Sequence, residues 1–179
     1  MPFSTSGFLL VSIGYVVAFS INTGFFLPMQ KLIVPSMDES VTLVFLPHGI
    51  RILAIIYFGW MGLIYLTPSV LGMWALAVYG SGQTELHMAG SLVSLLSCYV
   101  GVMLVCRYLF NGRDGEQKSW RHILIAGFFA SVLNSLGLTA LQKQALVSEV
   151  ILGYLIGDML GLLLLLVILM FAFRIIDGR

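Results

Sequence analysis

Long apolar segments dominate this sequence and limit the folds that are open to it. Five of them follow one another, at residues 6–28, 42–66, 87–110, 120–142 and 149–174. A helix needs roughly 20 mostly apolar residues to cross the hydrocarbon core of a bilayer, and each segment meets that length. Charged residues make up only 9% of the chain, whereas an ordinary soluble domain contains about 25%. The sequence therefore predicts an all-α fold, an integral membrane helical bundle.

A sixth apolar segment, residues 68–81, is shorter and suits either a thin span or a re-entrant helix. Basic residues help to choose between five and six spans, because they mark the cytoplasmic side of a membrane protein. They cluster around the 107–121 loop and at the C-terminal end, and only Lys31 and Lys143 fall in the opposite set of loops. With six spans, the basic loop and both termini lie in the cytoplasm. We therefore predict six transmembrane helices, of which the third is short.

The chain is expected to form a single transmembrane domain over residues 1–179, without a soluble domain. Its longest loops, residues 29–41 and 111–119, are too short to fold on their own. A net charge of +1 gives no support for a nucleic-acid partner. The expected surroundings are a lipid bilayer, so the function is expected within the bilayer or at its faces.

Small residues recur at every fourth position in several segments, a pattern that lets helices pack closely in lipid. The last segment carries Gly153, Gly157 and Gly161. Two earlier segments carry similar stripes: Gly90, Ser94 and Cys98, then Gly127, Ser131, Ser135 and Thr139. We interpret the stripes as helix packing within the chain. The alternative, that one of them faces another protein, stays open.

Two charged residues interrupt the apolar segments at the same depth. The stretch FLPHGIR places Arg51 nine residues into the segment 42–66, and Asp158 lies nine residues into the segment 149–174. At about 1.5 Å per residue, both lie roughly 13 Å below the outer end of their helices. A charge near the middle of the bilayer costs roughly 2.5–3.5 kcal/mol on insertion scales. We therefore predict that Arg51 and Asp158 face the bundle interior and interact, directly or through water or a ligand.

Further polar residues are predicted near this layer. Asn134 lies at nearly the same level as Arg51, and His48 and Asn22 lie within about two helical turns of it. Pro47 and Gly49 flank His48 and predict a break in the helix, because proline cannot donate the helical hydrogen bond. In a membrane, the backbone groups that such a break frees must be satisfied by protein, water or ligand.

Three interpretations of the polar layer stay open. Arg51, Asp158 and Asn134 can form a structural staple, or they can join His48 in a site for a ligand or an ion. The third interpretation is a proton relay through His48 and Asp158. The sequence shows no metal-ligand spacing, phosphate loop or nucleophile–base pairing. We accordingly predict no metal, no cofactor and no catalytic residue, and the chain is not expected to be an enzyme.

Two stretches resemble the first family of bacterial membrane-associated sensor domains. VFLPHGIRILAIIYFGW is similar to that family's tryptophan-proline-x-x-glycine region. ILGYLIGDMLGLLLLLVIL is similar to its late helix, with Gly157, Asp158 and Gly161 as the Gly-Asp-x-x-Gly motif. The resemblance implies a multi-spanning sensor that feeds signals to attached cytoplasmic output domains. This chain has fewer predicted spans and ends at RIIDGR, so it is expected to signal through a separate partner or to be a fragment.

The layout is also similar to the substrate-binding subunits of energy-coupling-factor vitamin transporters, which are compact six-helix proteins. Our leading hypothesis is a sensor-like or small-ligand-binding protein of the bacterial inner membrane. Arg51 would neutralise an anionic group of the ligand or pair with Asp158 in the empty state. An accessory or assembly subunit without a ligand is one alternative, and a substrate-binding transporter component is another. A membrane or cytoplasmic protein and a small molecule are the expected partners.

Overall fold

The computed structural model describes residues 3–35, 42–80, 88–109, 119–141 and 148–178. Within these ranges the regular structure is helical. It comprises six helices, listed here in chain order: α1 Thr5–Ile33, α2 Leu46–Phe58, α3 Trp60–Gly80, α4 Met88–Tyr108, α5 Trp120–Leu141 and α6 Ser148–Ile176. Five of the six are long and apolar enough to cross a membrane, which confirms an all-α membrane protein with several spans.

The short helix is the second in the chain and not the third. The predicted segment 42–66 divides at Gly59, whose positive φ of 60° ends α2 and allows α3 to begin at the next residue. Pro68 lies inside α3, so residues 68–80 are the second half of a full-length helix; residue 81 lies outside the described ranges. Hydropathy could not locate the turn, because the residues on both sides of Gly59 are apolar.

α2 occupies the centre of the bundle. Nine of its 13 residues are buried, and it is only about 20 Å long at about 1.5 Å per residue. Gly7 of α1 lies beside Phe58 and Gly14 lies beside Ile50, so α1 and α2 are antiparallel. One apolar core, which includes Ile52 and Ile55, contains side chains from all six helices.

The last three helices pack through small residues. Gly101 of α4 approaches Ala130 of α5, and Gly137 approaches Val93, so these two helices are antiparallel. A Cβ at Gly101 would lie 2.6 Å from the Ala130 backbone. α6 in turn runs antiparallel to α5, because Asn134 contacts Asp158 and Gly127 contacts Leu162. It runs parallel to α2, because His48 contacts Asp158 and Gly49 contacts Leu165.

Pro47 and Gly49 do not break a helix. Pro47 lies in the first turn of α2, where a backbone N–H would have no helical partner, so its missing donor costs little. Gly49 instead allows close packing, since a Cβ there would lie 2.7 Å from Leu165 Cδ2 and 3.2 Å from Leu162 Cα. The predicted break within a helix is therefore wrong: a helix begins at this place, and the chain before it is non-helical.

That non-helical chain, residues 42–45, fills the glycine stripe of α6. The Phe45 N–H donates to the Gly157 carbonyl at 2.9 Å, and the Leu43 N–H donates to Gln30 Oε1 at 2.7 Å. A Cβ at Gly161 would collide with the Phe45 carbonyl, and one at Gly157 would collide with the Thr42 carbonyl. Gly153, one turn earlier, is buried as well. Gly157 and Gly161 therefore leave room on α6 for a non-helical backbone segment of the same chain.

The residues that carry the charge-based orientation lie mostly outside the described ranges. Arg113, Lys118 and Lys143 are among them, as are the acidic residues 38, 39 and 85. The cytoplasmic placement of both termini therefore stays a prediction.

Replacement of Gly161 tests the contact between α6 and residues 42–45. We expect Gly161→Ala to lower the free energy of unfolding by about 1–3 kcal/mol, because the new Cβ overlaps the Phe45 backbone. The control is Gly72→Ala in α3, where a Cβ meets nothing within 4 Å. To measure the difference, both variants are heated in detergent and the fraction that stays monodisperse is recorded at each temperature. Equal stability of the two variants would contradict the contact.

Candidate functional site

Polar side chains from five helices meet around one turn of α2. His48 and Arg51 of α2 are 0% and 4% exposed. Their polar neighbours come from four other helices: Tyr15 of α1, Ser94 and Cys98 of α4, Ser131 and Asn134 of α5, and Asp158 of α6. These eight residues are called the polar layer below. Because α2 is enclosed by the other helices, its two ionisable side chains meet protein groups rather than lipid.

The Arg51 guanidinium is held by neutral groups. Nη2 donates to the Tyr15 hydroxyl at 2.7 Å, and Nη1 donates to the Ser94 hydroxyl. The guanidinium carbon lies 5.4 Å from the centre of the Tyr15 ring and 5.5 Å from that of Phe45, distances at which an aromatic ring attracts a cation. Hydroxyl dipoles and ring faces thus surround a full positive charge.

Asp158 is paired with His48 and not with Arg51. Its Oδ2 accepts a hydrogen bond from Asn134 Nδ2 at 2.9 Å and lies 3.4 Å from His48 Nδ1. The sequence predicted the shared depth of Arg51 and Asp158, and it allowed a direct ion pair between them. In the structure the Arg51 side chain extends toward α1 and α4, while the histidine one turn earlier faces α6. Depth counting could not predict this difference in direction around the helix axis.

His48 connects three helices. Its Nδ1 lies 3.4 Å from Asp158 Oδ2 and 3.7 Å from Cys98 Sγ, and its Nε2 lies 3.2 Å from Ser131 Oγ. Within the described residues, no group of three or more metal-ligating side chains is found.

The order Ser131, His48, Asp158 is that of a serine–histidine–aspartate relay. Such a relay also needs donors aimed at the developing oxyanion, usually free backbone N–H groups beside the nucleophile. Ser131 lies in the middle of α5, where the backbone N–H groups are engaged in the helix. The arrangement is therefore suited to hold or transfer a proton between Ser131, His48 and Asp158.

Asn22 is buried, at 2% exposure, but lies away from the Arg51 contact. It begins a π-helical turn in α1, seven residues after Tyr15, which corresponds to about 10 Å along the helix axis. Its Oδ1 has no hydrogen-bond partner. Asn22 thus lies on the same face of α1 as Tyr15, two helical turns further along.

Among the described residues, two other buried side-chain atoms lack a hydrogen-bond partner, and both belong to the polar layer: Arg51 Nε and Asn134 Oδ1. Leaving a buried polar group unpaired costs about 1–3 kcal/mol, and more when the group is charged. Most buried polar groups in native proteins find a protein or water partner. The layer therefore offers the Nε–H donor of Arg51 and the Oδ1 acceptor of Asn134 to a further molecule.

Four members of the polar layer were not predicted from the sequence: Tyr15, Ser94, Cys98 and Ser131. Ser94, Cys98 and Ser131 were visible as parts of small-residue stripes, and the packing interpretation hid their polar contacts. Tyr15 stands in an apolar run, SIGYVVAF, with no polar neighbour that would single it out. A hydroxyl at the depth of a buried arginine is the signal that could have found it.

Removal of the Tyr15 hydroxyl tests the Arg51 contact. We expect Tyr15→Phe to lower the free energy of unfolding by about 1–3 kcal/mol, because a buried guanidinium loses an acceptor while the ring stays in place. Tyr108→Phe is the matched control, since Tyr108 is 74% exposed. Denaturant unfolding in detergent compares the two variants. A loss no larger than that of the control would show that the hydrogen bond adds nothing to stability.

The two stretches that carry the family resemblance lie against each other. Phe45 bonds to Gly157, and Gly49 packs on Leu162 and Leu165, although residues 61–150 separate the stretches in the chain. The motif residue Asp158 faces His48 within the same contact. No protein-family model matches this chain, and neither a curated protein nor a solved structure is significantly similar to it.

Proposed function

We propose that this chain is a sensor-like membrane protein that binds a small molecule at the polar layer and signals to a separate membrane or cytoplasmic protein. The observation that carries the proposal is the free donor and free acceptor in a fully buried cluster of ionisable side chains. A structural staple would be most stable with every polar atom paired, because unpaired buried groups are costly. A bound molecule that supplies the missing hydrogen-bond partners explains why unpaired polar groups are present in a buried cluster.

The position of α2 supports a sensor. It carries both His48 and Arg51, and both of its ends are set off from the neighbouring helices by non-helical residues. Gly59 turns the chain at one end, and the non-helical residues 42–45 lie at the other. A molecule that pulled Arg51 away from Tyr15 would shift α2 against α6, where residues 42–45 occupy the glycine stripe. The contact between the two sensor-like stretches lies at that same place.

The accessory-subunit alternative is less well supported. It predicted that the glycine stripe of α6 would face another protein, whereas Gly157 and Gly161 are covered by residues 42–45 of this chain. A substrate-binding transporter component would use the same polar layer, and no observation on the described residues favours it separately. The bacterial inner membrane is the proposed location, on the basis of the sensor resemblance and the distribution of basic residues.

Native mass spectrometry of the detergent-purified chain tests for a bound molecule. We expect a small molecule to co-purify with the wild type and to be lost from Asp158→Asn, since the neutral amide no longer pairs with His48. The fold should survive, because the new side-chain oxygen can still accept from Asn134. Asp177→Asn is the matched control, as Asp177 is exposed beyond the end of α6. A well-folded wild type that carries no bound molecule would make the polar layer a staple.

A further inference from the structure

We propose that the molecule bound at the polar layer is a small monocarboxylate that also carries a hydrogen-bond donor, as a hydroxy acid does. The inference rests on the proposed ligand-binding function and adds the chemical class of the ligand. Its carboxylate would accept from Arg51, and its hydroxyl would donate to Asn134. Three features of the layer lead to this class: the charge of Arg51, its unpaired Nε–H, and the unpaired acceptor on Asn134.

Arg51 determines the sign of the ligand's charge. Its guanidinium is 4% exposed, its hydrogen bonds to Tyr15 and Ser94 reach neutral hydroxyls, and the carboxylate of Asp158 is engaged by Asn134 and His48. Hydrogen bonds between a guanidinium and a carboxylate are stronger than those to neutral acceptors. An anionic group on the ligand is therefore the best partner for the unpaired Nε–H, and a cationic ligand would be repelled.

The number of positive charges limits the ligand to one negative charge. Among the described residues, Arg51 is the only Lys or Arg side chain that is buried. A phosphate, with a charge of about −1.5 to −2 near neutral pH, would exceed the single positive charge of Arg51. A monocarboxylate matches the one available cation.

Asn134 determines the second group of the ligand. Its amide nitrogen is engaged by Asp158, whereas its Oδ1 is buried and has no partner. Only a hydrogen-bond donor can satisfy a carbonyl oxygen. A hydroxyl on the ligand supplies that donor, and it also places a positive dipole end toward the side of the layer that holds Asp158. A carboxylate without a donor would leave Oδ1 unpaired and should bind more weakly.

Three probes of similar size separate these features: sodium lactate has both groups, sodium propionate lacks the hydroxyl, and lactamide lacks the charge. The measured quantity is the rise in melting temperature of the detergent-purified chain as each probe is titrated, which gives an apparent affinity. For the wild type we expect lactate to bind more tightly than propionate, and lactamide to bind more weakly than lactate by at least about tenfold, because charge-assisted hydrogen bonds are lost.

Two substitutions at Arg51 and one matched control locate the site. Arg51→Gln should weaken lactate binding by at least about tenfold, because it removes the charge that holds the carboxylate. Arg51→Lys keeps a buried positive charge without the Nε–H, and it should weaken lactate binding even if Arg51→Gln fails to fold. Arg107→Gln removes an exposed arginine, so its response should equal that of the wild type. Any general effect of the salt on the melting temperature would appear in all variants alike.

The possible results separate the ligand class from the ligand-binding function. Equal responses to lactate and lactamide, both lost in Arg51→Gln, would overturn the carboxylate assignment and leave ligand binding in place. A wild-type response in Arg51→Lys would overturn the role of Nε. A wild type that answers none of the three probes would overturn the class stated here. If native mass spectrometry also finds no bound molecule, the ligand-binding function fails with it.

Discussion

Burial of the Arg51 charge inside a membrane bundle is the constraint on which the arrangement of the other helices depends. An isolated arginine near mid-bilayer costs roughly 2.5–3.5 kcal/mol on insertion scales. Here the cost is offset by hydroxyls from two different helices, Tyr15 of α1 and Ser94 of α4, and by the ring of Phe45. α1 and α4 must therefore keep fixed positions relative to α2. His48, one turn earlier, imposes the same requirement on α5 and α6.

The second constraint is the backbone of a helix too short to cross the bilayer alone. α2 is about 20 Å long, against about 30 Å for the hydrocarbon core, so the residues before it lie at membrane depth without helical hydrogen bonds. Non-helical backbone is tolerated there only where protein or water covers it. Gly157 and Gly161 provide that cover, because the surface of α6 lets the carbonyls of residues 42–45 approach its backbone. The glycine stripe and the short helix therefore depend on each other.

The sequence predicted those features of the bundle that depend on hydropathy and depth. Membrane helices, the inward-facing Arg51 and Asp158, and the close contact at the α6 glycines follow from residue type and residue count. The partners of Arg51 did not follow, because the depth of a residue says nothing about its direction around the helix axis. The turn at Gly59 was missed for a different reason. A glycine between two apolar segments looks the same in a continuous span as in a one-residue turn, and only its φ of 60° distinguishes them.

Pro47 shows how the same residue can support opposite structures. Read as the interior of a long span, it predicted a kink and freed backbone groups, whereas the helix in fact begins at Leu46. Backbone groups at residues 42–45 have protein partners, one of the outcomes that the sequence allowed: the Phe45 N–H bonds to Gly157 and the Leu43 N–H bonds to Gln30. The free hydrogen-bonding capacity of the layer lies on side chains, at Arg51 and Asn134. A molecule that binds there would act on α2 and α5 directly, and it would reach α6 through the hydrogen bond from Asn134 to Asp158.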